Sequence, residues 1–125
     1  DLLPSSAKKE LVTVIEKTKN NSRMTLTLAL SYGSREELLN AVKNISSKVK
    51  NNIISQDDID ESIINQHLYT HNLPDVDLVI RTSGEHRISN FLLWQCAYTE
   101  FYFIDKFWPD FEKDDLEDVF TFLET

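Results

Sequence analysis

Hydrophobic residues follow two different spacings in the first third of the chain. Before the polar stretch at 20–22, the apolar residues Leu11, Val12 and Ile15 recur at helical intervals, which predicts a first helix. Residues 24–32, "MTLTLALSY", instead alternate large side chains with small or polar ones. Because period-two alternation is typical of a strand with two unlike faces, we expect a strand there.

A glycine turn then leads into a second predicted helix. Ser34 follows Gly33 and lies three residues before Glu37, which is the spacing of a capping box at a helix start. The apolar residues that follow recur at helical intervals and predict one stripe that packs on a sheet: Leu38, Val42, Ile45 and Val49. Ser55 and Asp58 indicate another helix start, with three residues facing inward: Ile59, Ile63 and Leu68.

The C-terminal part of the chain predicts two more strands and two more helices. After Pro74, the segment "VDLVIRTSG" at 76–84 predicts an apolar strand that ends at Arg81. A short helix, a strand and a closing helix are expected to follow at "SNFLLWQCA" (89–97), "EFYFI" (100–104) and "DDLEDVFTFLE" (114–124).

This alternation of strands and helices predicts an α/β fold, with a largely parallel β-sheet flanked by helices. The chain has 125 residues, the size of one ordinary domain. In such sheets ligands bind beyond the carboxyl ends of the strands, where the turns at Gly33 and Gly84 are expected.

Composition narrows the classes of function. A net charge of −8 argues against broad binding to nucleic acid or to anionic lipid, so an anionic ligand would need a local basic pocket. No apolar run is long enough to cross a membrane, and no signal-peptide pattern is present, so we expect a soluble cytoplasmic protein. Cys96, the only cysteine, lies among apolar residues and is interpreted as a reduced, buried thiol rather than a nucleophile. The first residue is Asp1 rather than methionine, which suggests a fragment.

Two arginines flank the glycine turn after the predicted strand. A turn at Gly84 would bring Arg81 and Arg87 towards one point, and two planar guanidinium groups suit one diphosphate. Ser89 would then cap the following helix and donate its hydroxyl to a phosphate oxygen. The alternative, equally compatible with these residues, is a solvated arginine pair with ion pairs to two carboxylates, those of Glu85 and Asp75.

Glu100 lies in one of the most aromatic stretches of the chain. A carboxylate there is costly unless it is paired, protonated or bound to a metal such as Mg²⁺, which prefers oxygen ligands. The alternative is a glutamate at the edge of a strand that reaches water.

Three segments together resemble one protein family. "DLVIRTSGEHRISNFLLWQCAYTEFYF" resembles the signature segment of the cis-prenyltransferases, the family of undecaprenyl diphosphate synthase, and "ALSYGSREEL" and "FWPDF" resemble its flanking segments. The resemblance is clear from about Met24 to Phe111, and three motifs in the right order are far more specific than one short loop pattern. It implies an undecaprenyl diphosphate synthase-like fold.

The resemblance implies roles for individual positions. The family holds isopentenyl diphosphate through residues that correspond to Arg81, Arg87, Ile88 and Ser89, and its Mg²⁺-binding glutamate corresponds to Glu100. Five further residues are expected near the site: Glu85, His86, Asn90, Tyr32 and Gly33. Ser34 departs from the family pattern, which has a second glycine there.

The resemblance also implies that a part of the catalytic domain lies outside this sequence. The family's Asp-Gly-Asn-Arg-Arg segment, whose aspartate binds the Mg²⁺ of the allylic diphosphate, does not occur here. Residues 1–125 are therefore expected to be the C-terminal part of a single catalytic domain, without turnover on their own.

For the complete enzyme, the resemblance implies repeated cis-condensation of isopentenyl diphosphate with an allylic diphosphate such as farnesyl diphosphate. The expected product is undecaprenyl diphosphate, for the lipid carrier of cell-wall synthesis. A homodimer is expected, with membrane contact only through the lipid product. The alternative is a non-catalytic member of the same fold, either a diphosphate-binding subunit or a dimer partner.

Three other patterns have simpler explanations than a second site. The acidic motifs "DDIDE" (57–61) and "DDLED" (114–118) resemble the aspartate motifs of trans-prenyltransferases, but acidic residues are also favoured in first helical turns. His67 and His71 have metal-chelating spacing on a helix, although a solvated or capping pair is the preferred interpretation. Core and subunit-interface packing is expected for eight aromatic residues: Phe91, Trp94, Tyr98, Phe101, Tyr102, Phe103, Phe107 and Trp108.

Overall fold

A computed structural model describes residues 3–124 of the chain. The chain divides into two compact units, of which the first ends at Tyr32 and the second begins at Gly33. Among the described residues, no helix is long and apolar enough to span a membrane.

The first unit contains one helix, α1 (Ser5–Thr18), as the apolar spacing predicts. It begins directly after Pro4, whose missing N–H costs nothing at a helix start, where the first N–H groups have no intrahelical partner. No residue of α1 is buried, and Val12 and Ile15 are both about 60% exposed. The apolar stripe therefore forms the helix but has no packing partner in this unit.

The predicted strand at 24–32 is wrong. The segment 24–30 has no regular secondary structure, and Met24 and Leu26 are more than three-quarters exposed. A strand is stabilised by hydrogen bonds to a neighbouring strand, and the described chain has no third strand beside it. Alternation alone therefore does not make a strand, and Gly33 does not follow a strand end.

The second unit begins with α2 (Ser34–Lys50), which confirms the second predicted helix. Its buried face differs from the predicted stripe, because Val42 is 60% exposed and the fully buried positions are Ser34, Glu37, Ala41 and Ile45. Two polar residues thus occupy the start of the buried face. The sequence stripe missed them because it counted only apolar side chains.

The predicted capping box at Ser34 is also wrong. Gly33 is the N-cap of α2, and a glycine has no side chain that could accept a capping hydrogen bond. Ser34 is the first helical residue, so its side chain is free for a contact outside the helix. The prediction placed the helix start one residue too late.

A short helical region follows. Ser55 and Asp58 form the expected capping box, but it opens a single 3₁₀ turn (Gln56–Asp58). The α-helix α3 (Glu61–His67) starts separately at Asp60, whose side chain accepts a hydrogen bond from the N–H of Ile63 at 2.8 Å. Leu68 is buried and Ile63 half-buried as expected, but Ile59 is 39% exposed and does not face inward.

The sheet has two parallel strands in the described chain, β1 (Leu78–Arg81) and β2 (Glu100–Phe103). Leu78 pairs with Glu100 and Arg81 pairs with Phe103, so both carboxyl ends lie at the same edge. The parallel orientation agrees with the predicted α/β fold. The expectation of three strands is corrected, because the described chain is mostly helical around a two-stranded sheet.

The predicted short helix at 89–97 is wrong. Residues 89–98 form successive turns, and the backbone is left-handed at Ser89, Asn90 and Leu92, with φ of 51°, 61° and 46°. Non-glycine residues avoid this region because their Cβ crowds the backbone, and an α-helix cannot include it. Contacts from elsewhere in the fold must therefore hold this segment.

The closing helix is confirmed as α4 (Lys113–Leu123). A capping box between Glu112 and Asp115 begins the helix. The Asp115 carboxylate also forms a salt bridge with Lys106 at 2.7 Å. Both contacts favour the ionised carboxylate, and the Lys106 hydrogen bond is the largest cause that lowers the pKa of Asp115. The acidic motif here is thus a helix start, as the simpler explanation predicts.

Candidate functional site

The carboxyl edge of the sheet carries a tight turn. Arg81 ends β1, and Ser83 and Gly84 follow with left-handed φ of 68° and 63°. The N–H of Ser83 donates to the carbonyl of Lys106 at 2.8 Å, and that of Gly84 to the carbonyl of Ile104 at 3.1 Å. The turn after β1 is thereby tied to the chain that leaves β2.

A pocket of about 220 Å³ opens at this edge. Its lining joins two guanidinium side chains to an apolar wall: Val79, Ile80, Arg81, Arg87, Ile88, Phe91, Phe101 and Phe103. The structure thus brings together three of the four residues that the resemblance assigns to isopentenyl diphosphate binding, namely Arg81, Arg87 and Ile88. A pocket with two cationic forks and aromatic walls suits a ligand with an anionic head and an apolar body.

Arg87 belongs to both of the arrangements that the sequence left open. It lines the pocket and also forms an ion pair with Glu85 at 2.5 Å. Because the Arg87 side chain is 68% exposed, solvent screens this pair and it contributes little to stability. Arg87 can therefore exchange Glu85 for a ligand anion at small cost.

The other signature residues occupy different positions around the pocket. The His86 ring packs on Phe103, with ring centroids 4.9 Å apart. Ser89 is exposed and is not part of the pocket lining, and since no helix follows it, the predicted helix cap and helix N-terminus do not exist. Tyr32 is half-buried at the end of the first unit.

Asn90 links this region to the start of α2. Its side-chain Oδ1 accepts the N–H of Arg35 at 2.9 Å, and its carbonyl accepts the N–H of Ser34 at 2.8 Å. In return, Ser34 Oγ accepts the N–H of Leu93 at 2.9 Å. Gly33 allows this close approach, because a Cβ there would lie 2.9 Å from Asn90 Nδ2. We call residues 88–93 the anchored turn.

Glu37 is a buried carboxylate that sequence reasoning assigned only to a cap. Its Oε1 accepts the N–H of Tyr69 at 2.7 Å, and both carboxylate oxygens accept Gln95 Nε2 at 3.2–3.3 Å. Gln95 also donates to Thr70 Oγ1 at 3.0 Å. The buried face of α2 therefore holds the chain just after the anchored turn.

The aromatic residues are less buried than predicted. None of the eight is fully buried, and Tyr98, Phe107 and Trp108 are at least 65% exposed, so core packing is wrong for them. Phe101 and Phe103 instead stack 6.0 Å apart in the pocket wall. The signal for this was their spacing of two residues in a strand, which places both on one face.

Glu100 lies away from the arginines. It begins β2 at the amino edge of the sheet, opposite Leu78, whereas Arg81 is at the carboxyl edge, three residues along the strand or roughly 10 Å away. Glu100 is exposed, which agrees with the alternative of a strand-edge glutamate in contact with water.

The described residues do not by themselves complete a magnesium site. Mg²⁺ prefers six oxygen ligands in octahedral geometry. Among the described residues, no group of three or more His, Cys, Asp or Glu side chains is arranged to hold a metal ion. Glu100 can supply one ligand and no more.

The remaining candidate residues have structural roles. His67 is the last residue of α3, so His71 lies beyond the helix, and each ring Nδ1 contacts a backbone carbonyl, of Ile63 and Leu68 respectively. The chelating helix face is therefore absent, as the preferred interpretation predicts. Cys96 is a buried free thiol, and burial raises its pKa, which favours the unreactive protonated form.

Comparison with known proteins places the chain in a family. The family model described as putative undecaprenyl diphosphate synthase matches residues 1–123. The chain belongs to the undecaprenyl diphosphate synthase family. Among its relatives in this family are the undecaprenyl diphosphate synthase of Micrococcus luteus, which is 52% identical over 116 residues, and an isoprenyl transferase of Clostridium perfringens, which is 50% identical over 113.

The chain covers only part of these undecaprenyl diphosphate synthase relatives. It spans 47% and 45% of the lengths of the Micrococcus and Clostridium proteins, while they match 93% and 90% of the chain. The sequence thus corresponds to about half of a family member.

Solved structures share the fold of this half. Lavandulyl diphosphate synthase from Lavandula x intermedia, in complex with dimethylallyl diphosphate, superposes with a TM-score of 0.88 at 41% identity over 96% of this chain and 52% of that one. A probable undecaprenyl diphosphate synthase from Campylobacter jejuni superposes with a TM-score of 0.77 at 33% identity, over 99% and 55%. This chain therefore has the fold of about half of an undecaprenyl diphosphate synthase-like protein, which confirms that part of the predicted fold.

Proposed function

We propose that the chain is the C-terminal half of a cis-prenyltransferase and carries its isopentenyl diphosphate site. The complete enzyme condenses isopentenyl diphosphate with an allylic diphosphate, such as farnesyl diphosphate, and extends it to undecaprenyl diphosphate. The exposed apolar residues at 24–30 support a longer protein, because additional chain would cover them. A cytoplasmic homodimer remains part of this proposal.

The observation that carries the proposal is the pocket at the carboxyl edge of the sheet. Arg81 and Arg87 line one cavity together with apolar and aromatic residues. A prenyl diphosphate has the same two parts, a diphosphate and a hydrocarbon. The similar lavandulyl diphosphate synthase was solved with dimethylallyl diphosphate, a ligand of this chemistry, which supports the assignment.

The role of these residues is to bind and orient. In the condensation, the allylic carbon loses its diphosphate and bonds to the double bond of isopentenyl diphosphate, which then releases a proton. Arg81 and Arg87 hold the diphosphate of isopentenyl diphosphate, and the wall of Phe101 and Phe103 directs its hydrocarbon end. Fixing one reactant in this way converts an encounter of two molecules into a reaction within one complex.

The allylic diphosphate and Mg²⁺ are assigned mainly to the other half of the enzyme. Bound Mg²⁺ would neutralise charge on the departing diphosphate. Glu100 is proposed as one of its ligands, and Ser89 as a further hydroxyl donor to the diphosphate of isopentenyl diphosphate. Neither residue lines the described pocket.

The test is incorporation of radiolabelled isopentenyl diphosphate by the full-length protein that contains this chain, with farnesyl diphosphate and Mg²⁺. We expect a polyprenyl product whose length chromatography determines. Tight binding of isopentenyl diphosphate without any product above a metal-free control would instead favour a non-catalytic diphosphate-binding subunit. Absence of both binding and product would contradict the proposed site.

A further inference from the structure

The anchored turn, residues 88–93, connects the pocket to a part of the chain that does not line it. Ile88 is in the pocket wall, and Arg87 immediately precedes it. Two residues after Ile88, Asn90 contacts the start of α2. The position of this turn therefore helps to set where the Arg87 guanidinium lies.

The turn does not hold its own conformation. Three of its residues have left-handed backbones without being glycine, which is unfavourable unless surrounding contacts enforce it. The turn has two local backbone hydrogen bonds, from the N–H of Phe91 to the carbonyl of Ile88 at 3.2 Å and from the N–H of Cys96 to the carbonyl of Leu92 at 2.9 Å, and they do not continue as a regular helix. The enforcing contacts must come from outside the turn.

Those contacts form a reciprocal pair with the first turn of α2. The first N–H groups of any helix lack partners within the helix, and here Asn90 accepts two of them, from Ser34 through its carbonyl and from Arg35 through its side chain. Ser34 Oγ accepts the N–H of Leu93 in the opposite direction. Ser34 is fully buried, so water cannot replace it as an acceptor.

We infer that Asn90 and Ser34 are positioning residues for the isopentenyl diphosphate site, because they lock the turn that holds Arg87 and Ile88 at the pocket. The inference rests on the proposed function. It adds two residues that touch no ligand but set the affinity for one of the two substrates.

The experiment uses the full-length protein with Asn90→Gly and, separately, Ser34→Ala. Glycine at 90 keeps the left-handed backbone while it removes the side-chain acceptor, and alanine at 34 keeps the helix while it removes the hydroxyl. For each variant, KM for isopentenyl diphosphate, KM for farnesyl diphosphate, kcat and Tm are measured. Hydrogen exchange reports the amides of Arg35 and Leu93 directly.

We expect KM for isopentenyl diphosphate to rise about 5- to 10-fold in Ser34→Ala, the effect of one lost buried hydrogen bond. The rise in Asn90→Gly should be smaller, about 2- to 5-fold, because the Asn90 side chain is exposed and water can replace it as the acceptor. The KM for farnesyl diphosphate and kcat should stay within about twofold of the unsubstituted protein. Exchange should accelerate at Arg35 in Asn90→Gly and at Leu93 in Ser34→Ala. A purely structural role would not change the KM for one substrate alone.

Asn52→Gly is the matched control. Asn52 also has a left-handed backbone, with φ of 53°, but it follows the C-terminal end of α2, the opposite end from Asn90. We expect its KM values to be unchanged. If Asn90→Gly fails to fold, Ser34→Ala decides the matter.

Two results would overturn the inference. The first is an unchanged KM for isopentenyl diphosphate in folded variants of an active enzyme, which leaves the proposed function intact. The second is an equal rise in both KM values with a matching fall in Tm, which would show general destabilisation. If the unsubstituted protein binds no isopentenyl diphosphate, the proposed function fails first and the inference fails with it.

Discussion

The charged residues at the two edges of the small sheet have different surroundings. At the carboxyl edge, Arg81 and Arg87 share a pocket whose turns are tied by hydrogen bonds to the chain after β2 and to α2. At the amino edge, Glu100 is an exposed carboxylate at the first position of its strand. The resemblance assigns both groups to one active site, yet this chain builds only the arginine part.

The difference shows which part of the proposed site this chain preorganises. The pocket walls come from β1, β2, Arg87 and the anchored turn, all within the second unit. Mg²⁺ is usually held by one or two carboxylates together with substrate phosphates and water. Among the described residues, no group of three or more metal-ligating side chains is arranged to hold it without such a substrate. The carboxyl edge is therefore expected to bind a diphosphate without metal, whereas the amino edge depends on residues outside this chain.

The largest effect is expected at the arginines. In the full-length protein, Arg87→Ala should weaken metal-free binding of isopentenyl diphosphate by about 10- to 100-fold, because it removes charge-assisted hydrogen bonds. Isothermal titration calorimetry measures the affinity, and Tm should change little because the Arg87 side chain is 68% exposed. Arg81→Ala should have a similar effect on binding.

Two variants control for charge. Lys113→Ala removes a cation from the start of α4, with a side chain 85% exposed and paired with Glu117, and should leave binding unchanged. Glu85→Gln removes the carboxylate that competes for Arg87 and should tighten binding slightly. If Lys113→Ala weakened binding of isopentenyl diphosphate as much as Arg87→Ala, the effect of Arg87 would come from the net charge and not from a contact in the pocket.

A smaller, pH-dependent effect on the stability of the fold is expected from the ion pair between Lys106 and Asp115. Lys106 accepts the N–H of Ser83 through its carbonyl and pairs with Asp115 through its ammonium group. Because the folded state lowers the pKa of Asp115, this pair stabilises the fold at neutral pH and loses its contribution as the pH falls through that lowered pKa. The raised pKa of Lys106, caused first by the Asp115 hydrogen bond, extends the contribution into the alkaline range.

Asp115→Asn tests this. Thermal unfolding monitored by circular dichroism should show a lower Tm for the variant at pH 7, and the difference should shrink as the pH falls below about 4, the ordinary carboxyl range. Glu117→Gln, which breaks only an exposed pair with Lys113, is the control and should show little difference at any pH. A Tm difference that is constant across the acid range would contradict the role of the ion pair.

The smallest effect is expected at the amino edge. Glu100→Gln should leave metal-free binding of isopentenyl diphosphate unchanged, since Glu100 is outside the pocket. Turnover with Mg²⁺ should fall if Glu100 is one of the metal ligands in the full-length protein. Calorimetry without metal measures binding, and radiolabel incorporation with Mg²⁺ measures turnover, so the two effects are separated. Weaker metal-free binding by Glu100→Gln would contradict the difference between the two edges.

Local signals in the sequence predicted local structure well. α1, α2, α4 and both strands lie where the spacing of apolar residues indicated, and the convergence of Arg81 and Arg87 followed from a strand end and a glycine turn. These features depend on residues close together in the chain. The family resemblance, carried by three motifs, predicted the fold that the solved structures share.

Features that depend on distant partners were not predictable in the same way. The segment 24–30 has strand alternation but no strand beside it in the described chain, and 89–97 has helical composition but is held in turns by Asn90 and Ser34. Ser34 and Glu37 were interpreted as local caps because their spacing fits one, whereas both serve contacts more than thirty residues away. Tertiary hydrogen bonds overrode the local pattern at Ser34, Glu37 and 89–97, whereas at 24–30 the described chain offers no partner strand.

The most direct test of the central claim is a crystal structure of the full-length protein with isopentenyl diphosphate. The account predicts diphosphate oxygens within hydrogen-bonding distance of the guanidinium groups of both Arg81 and Arg87, with the hydrocarbon end against Phe101 and Phe103. A diphosphate bound elsewhere, with both arginines still facing solvent or Glu85, would contradict it.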